Sequence, residues 1–156
     1  MLELNKKGYF PYTPSTNILY GLDEALSMLL DEGLANVFER HRRLAYATQL
    51  AVAGWGLENL CVNPEEYSNS TTAVLMPKGH DADALRNIIL EKFNMSLGMG
   101  LGKVKGTVFR IGHIGDFNEL MMAGTLSGVE MGLSIARVPH TKGGVNAALE
   151  FLASSA

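Results

Sequence analysis

Apolar residues at Ile18, Leu22, Ala25, Leu26 and Leu29 recur at helical spacing between Asn17 and Glu32. They predict an amphipathic helix that Ser15 or Thr16 is placed to cap. After Gly33 a second helical pattern runs from about Asn36 to Trp55, with Val37, His41, Leu44, Thr48 and Ala51 on one face and Glu39, Arg40, Arg42 and Arg43 mostly off it. Gly54 to Asn69, rich in Gly, Asn, Pro and Glu, reads as irregular chain with one short strand around Leu60 to Val62. Thr71 to Met76 is β-branched and apolar and is closed by Pro77 and Gly79, so it reads as a buried strand. Asp81 can cap a helix through about Phe93, with Leu85, Ile88, Ile89 and Phe93 on its apolar side. A glycine-rich loop from Ser96 to Gly106 leads into a strand from Thr107 to Gly112. Asp116, followed by Glu119, has the spacing of a capping box opening a long helix to about Arg137, and a last helix runs from about Gly144 to Ala153. This order predicts an α/β (α+β) fold, a small, largely antiparallel sheet with helices packed on one face.

The start of the chain breaks the pattern. Gly8 to Thr16 packs three aromatics and two prolines into nine positions, which disfavours helix and predicts an extended arm over 1–16 ahead of one domain over 17–156. Such an arm needs something to lie against. The 156 residues, 47% of them hydrophobic, suffice for one core. A formal charge of -3 carries no basic footprint, so nucleic acid is not an expected partner. Glu119, Glu130 and Arg137 interrupt the longest apolar stretch, so no membrane span is expected. Cys61 is the single cysteine and the N-terminus is polar, which points to a reducing, cytoplasmic setting.

Candidate chemistry is sparse. The loop Gly98 to Lys103 invites a phosphate-cradle reading, but Val104 follows the lysine where a P-loop needs Ser or Thr, and a strand follows where it needs a helix. Gly124, Gly128 and Gly132, four apart on one helix, read as close helix packing. The histidines at 41, 80, 113 and 140 lack metal-ligand spacing, and His41 reads as a satisfied core or interface residue. Cys61 has no base partner and reads as a small buried side chain. Arg110 stands apart: in Val108-Phe-Arg-Ile-Gly-His113, strand alternation sends it to the face opposite Phe109 and Ile111. A guanidinium there can grip a substrate carboxylate by a bidentate pair. On spacing alone that reading stands level with an ordinary surface salt bridge.

Seven segments taken together carry a resemblance: Tyr12-Thr-Pro-Ser-Thr16, Ile18-Leu-Tyr-Gly-Leu22, Glu32-Gly-Leu34, Arg40-His-Arg42, Ala53-Gly-Trp-Gly-Leu57, Ser96-Leu-Gly98 and Phe109-Arg-Ile-Gly-His-Ile-Gly-Asp116. In number, order and spacing, from about Tyr9 to Leu152, they resemble the serine-glyoxylate and alanine-glyoxylate aminotransferases, class V enzymes dependent on pyridoxal phosphate. The resemblance implies the C-terminal small domain of a fold-type I homodimer whose active sites lie between subunits. It implies that Arg110 binds the α-carboxylate of a small amino acid or 2-oxo acid. It also implies that Thr13, assisted by Tyr12, reaches across the dimer interface to the cofactor phosphate.

None of the lysines, at 6, 7, 78, 92, 103, 105 and 142, occupies the context of the family's cofactor lysine, which lies upstream of the matched segment. Two functions therefore stay open. One is the C-terminal domain of an aminotransferase moving an amino group from serine or alanine to a 2-oxo acid such as glyoxylate, with the large domain as missing partner and no transaminase activity or covalent cofactor in the chain alone. The other is a stand-alone, non-catalytic module of the same descent that self-associates or binds small carboxylates.

Overall fold

A computed structural model of the chain describes residues 2–155. They fall into two compact units, residues 2–37 and 38–155.

The first unit holds α1 (Leu2–Lys6), a non-helical stretch with two prolines, and α2 (Thr16–Glu32). The expected extended arm over 1–16 is helical at its start, because the Leu-Glu-Leu-Asn-Lys segment before Gly8 has neither proline nor β-branched residue to oppose a helical turn, and its second half is non-helical with a bend at Pro11–Tyr12. Neither α1 nor α2 buries a single residue. Ser15 takes the N-cap position of α2 but makes no side-chain bond there; its carbonyl accepts from the amides of Ile18 and Leu19. Gly33, at φ 83, ends the helix with its amide on the Leu29 carbonyl.

Helix α3 (Leu34–Gly54) leads into the second unit, which continues with β1 (Glu58–Asn59), β2 (Thr71–Leu75), α4 (Ala82–Phe93), β3 (Gly98–Met99), β4 (Val108–Gly112), α5 (Glu119–Ile135) and α6 (Gly144–Ser154). The strands form one antiparallel sheet in the order β1-β2-β4-β3. Its core face carries Val74, Phe109 and Ile111. These pack with Leu44, Val52 and Trp55 of α3 and its end, Leu85 and Ile89 of α4, Met122, Leu126 and Leu133 of α5, and Ala148 and Leu152 of α6. The expected antiparallel sheet with helices on one face is what forms.

Several local expectations shift. The first strand is Glu58–Asn59, two residues ahead of Leu60–Val62, since Val62 is 93% exposed and Leu60 reaches the sheet only through its amide on Ala73 O. Asp116 does not open α5: Asn118 does, its Oδ1 accepting from Met121 N at 3.0 Å, while Glu119 pairs with Arg43 instead of closing a capping box. The glycine-rich loop contains a strand and a 3-10 turn (Gly102–Val104). Gly100 donates to Val108 O at 2.9 Å and sits so close to Val104 O that a Cβ would lie 2.1 Å from it, so this loop is folded on itself.

The segment Ala53-Gly-Trp-Gly-Leu57 proves to be a structural joint. Gly54 lets α3 approach the Gly144 backbone, where a Cβ would meet Cα at 2.8 Å. Trp55 is wholly buried, and its indole Nε1 donates to Glu130 Oε2 at 2.8 Å. The same carboxylate accepts from the amides of Gly143 (2.6 Å) and Val145 (3.1 Å) at the start of α6. Burial pushes the Glu130 pKa up, but these bonds together outweigh it and hold the group below its ordinary value.

Candidate functional site

Strand β4 positions the site. Val108, Phe109 and Ile111 are buried, and Arg110 alternates to the sheet face opposite Phe109 and Ile111, directly across from Ala73 on β2 and Gly98 on β3. Its Nε donates to the Met99 carbonyl at 2.9 Å, which lays the side chain along the short edge strand. Gly98 makes room for this: a Cβ there would lie 3.0 Å from Arg110 Cβ and 3.1 Å from Nε. Among the described residues no carboxylate comes within ion-pair distance of the guanidinium, so the surface salt bridge weighed above is not what this strand builds. What remains is a strand-anchored cation with two terminal nitrogens available to an anion.

The chain that follows β4 is tied down from several sides. His113 is wholly buried, with Nε2 3.0 Å from Thr72 Oγ1 and Nδ1 3.1 Å from Asn69 O. A carbonyl can only accept, so Nδ1 carries the proton and Nε2 accepts from the hydroxyl. Arg40 Nη1 donates to the carbonyls of Gly115 (2.8 Å) and Phe117 (3.0 Å). His41 Nε2 accepts from Gly115 N at 3.1 Å, and Arg43 pairs with Glu119 and bonds Ser155 Oγ. Arg40 and His41 thus serve the loop after Arg110, while Arg42 pairs with Glu39 on its own helix, and His41 is the satisfied residue its helix face implied. Periodicity could place Arg40, His41 and Arg43 on α3 but could not show that their partners are main-chain groups of that loop and the Glu119 carboxylate, some 75 positions away.

Thr13 and Tyr12 lie in the non-helical stretch before α2, within the first unit, and both are exposed. Neither hydroxyl takes part in a hydrogen bond among the described residues. Arg110 belongs to the second unit. Cys61 is half-buried, its Sγ 3.5 Å from Asn63 O. Among the described residues no cluster of His, Cys, Asp or Glu could hold a metal, and no helix is long and apolar enough to cross a membrane.

No family model matches the chain. Individual proteins do. It is 49% identical over 149 residues to a serine–glyoxylate aminotransferase of Methylorubrum extorquens, covering 95% of this chain and 37% of that protein. It is also 49% identical over 154 residues to the enzyme of that name from Arabidopsis thaliana, covering 97% of this chain and 38% of that protein. Among solved structures, the pyridoxamine-pyruvate aminotransferase of Mesorhizobium loti superposes with a TM-score of 0.88 at 32% identity, over 94% of this chain and 38% of that one. The ureidoglycine-glyoxylate aminotransferase of Bacillus subtilis gives 0.84 at 28% identity, over 90% and 36%. The chain therefore spans little more than a third of the length of the relatives it matches. With an antiparallel sheet and helical layer that coincide with theirs, and half its residues shared with two serine–glyoxylate aminotransferases, the chain belongs to the pyridoxal-phosphate-dependent class V aminotransferases and corresponds to their C-terminal domain.

Proposed function

We propose that this chain supplies the substrate-carboxylate grip of an aminotransferase that moves an amino group between a small amino acid, serine or alanine, and a 2-oxo acid such as glyoxylate. The observation that carries the reading is Arg110: a guanidinium held on a strand by a main-chain carbonyl, with no internal carboxylate to neutralise it. Bidentate pairing with a planar carboxylate is the chemistry such a group offers, and it would be the same for donor and acceptor because both carry that carboxylate.

The family's cofactor is pyridoxal phosphate, which acts as an electron sink when bound. The donor set of this chain does not by itself fit it. Thr13 and Tyr12 offer hydroxyls suited to a phosphate, but they are exposed and unanchored, and no lysine of the chain stands in the family's cofactor context. No step of the reaction is therefore assigned to these residues beyond phosphate contact by Thr13, with Tyr12 assisting, at an active site shared between subunits. The large domain is the partner this requires, in a cytoplasmic homo-oligomer, with neither nucleic acid nor membrane among its partners. The boundary suited to that role sets residues 1–16 as the arm and 17–156 as the small domain.

The test is binding by the chain itself. Titration with glyoxylate, followed by NMR, is expected to show saturable binding that Arg110→Lys weakens by about ten-fold, through loss of one arm of a charged pair. Equal binding by Arg110→Lys would remove the reading. So would measurable transamination of glyoxylate with serine or alanine by the purified chain plus pyridoxal phosphate, since that would need a lysine role the reading denies it.

A further inference from the structure

We propose that Gly98 is a positioning residue for Arg110, and that it works with the Met99 carbonyl to fix how a carboxylate is taken: end-on, through Nη1 and Nη2. The inference rests on the carboxylate-binding reading of Arg110.

Gly98 and Arg110 face each other across the β3–β4 ladder, so any side chain at 98 would stand beside the arginine on the same sheet face. The space that side chain would need is filled by the arginine itself, with Cβ, Nε and Cζ at 3.0, 3.1 and 3.5 Å from the position of an added Cβ. Lying there brings Nε within 2.9 Å of Met99 O. Nε carries one hydrogen, and that hydrogen is spent on the carbonyl. A side-on carboxylate pairing would need Nε, so the remaining fork is the end-on one. The clamp also restricts the long side chain before substrate arrives, so less rotamer freedom is lost on binding.

Backbone conformation does not explain the glycine. Gly98 has no positive φ, and a strand favours Val over Gly. If Gly98 had no part in placing Arg110, Gly98→Val should be neutral or stabilising.

The experiment uses the chain labelled with 15N in both arginine and tryptophan. The Arg110 Nε–H signal is identified as the one lost in Arg110→Lys, and the Trp55 indole signal, from the core far along the chain, reports folding. In the parent chain the Arg110 Nε hydrogen is expected to exchange with water more slowly than that of exposed Arg137. In Gly98→Val it is expected to lose that protection and glyoxylate binding to weaken about ten-fold, with the Trp55 signal unchanged. Gly98→Ala is expected to fall between, and it decides by the same criteria should the valine variant disturb the Trp55 signal. Unprotected Nε–H in the parent overturns the clamp. So do protection and affinity retained in the Gly98 variants while Arg110→Lys binds weakly. Undiminished binding by Arg110→Lys instead overturns the carboxylate reading of Arg110, and the clamp with it.

Discussion

His113 closes the strand that carries Arg110, and its ring is wholly enclosed. Burial pushes its pKa down from 6.5 to about 4, the bond to the Asn69 carbonyl opposes the shift, and the neighbouring His41 adds to it. In the unfolded chain the imidazole titrates near 6.5, so between that pH and about 4 the unfolded state binds a proton the fold refuses. The contribution of neutral His113 is therefore present in full above pH 6.5 and is lost as pH falls toward 4. Melting temperature should drop over this interval, and His113→Gln, which keeps a polar side chain that does not titrate, should flatten the drop. Parallel curves for the two proteins would show that some other group carries the dependence. Glu130 acts lower on the scale: its folded pKa lies below the usual 4.5, so its contribution is present above 4.5 and lost only as pH falls through the folded value. Both proteins share that part of the curve, which leaves the interval above it to His113.

The contact between α4 and α5 separates two glycines that look alike in sequence. A Cβ on Gly132 would lie 2.3 and 2.6 Å from Ile89 Cγ1 and Cδ1, while one on Gly124 would meet nothing within 4 Å. Gly128 resembles Gly132, with Met95 Cε at 2.8 Å. Helical alanine is worth up to about 1 kcal/mol over glycine, and overpacking a core costs about 1–3 kcal/mol. Gly132→Ala should therefore lower stability by roughly 1–2 kcal/mol, and Gly124→Ala should raise it by up to about 1 kcal/mol. Denaturant midpoints of the two variants measure this directly, and shifts of the same sign would contradict the packing assigned to α5. Of the three glycines spaced for close packing, Gly132 serves the α4–α5 contact and Gly128 packs on Met95 just beyond α4.

At the scale of the molecule, α2 is the element that calls for a partner. Ile18, Leu22 and Leu26 form its apolar stripe and are 70%, 52% and 48% exposed, with no residue of the helix buried. A stripe of this length is ordinarily covered. On the proposed reading the large domain and a second copy share that task. The chain alone is then expected to self-associate, with a light-scattering mass above its own 16.9 kDa, and Leu22→Asp should shift it toward monomer. A parent chain that stays monomeric at every concentration would argue against the stripe as an interface.

Composition and periodicity were enough to specify the helices from Thr16 through Gly54, the two long strands, the antiparallel α+β class, and the outward placement of Arg110. Each of these follows from apolar residues repeating with the period of helix or strand, and that information is local. Four features needed the fold. Residues 98–99 form a strand only because β4 offers them an edge, since a Gly-Met pair has no strand preference of its own. Asn118 caps α5, its Oδ1 accepting from Met121 N, while Glu119 pairs with Arg43 brought from α3. Glu130 holds the start of α6 and the Trp55 indole through partners 13 and 75 positions distant. Arg110 becomes a carboxylate candidate and not a salt-bridge partner only once the sheet shows which groups surround it. Long-range pairing costs chain entropy that only the assembled core repays, so no short window of sequence contains it.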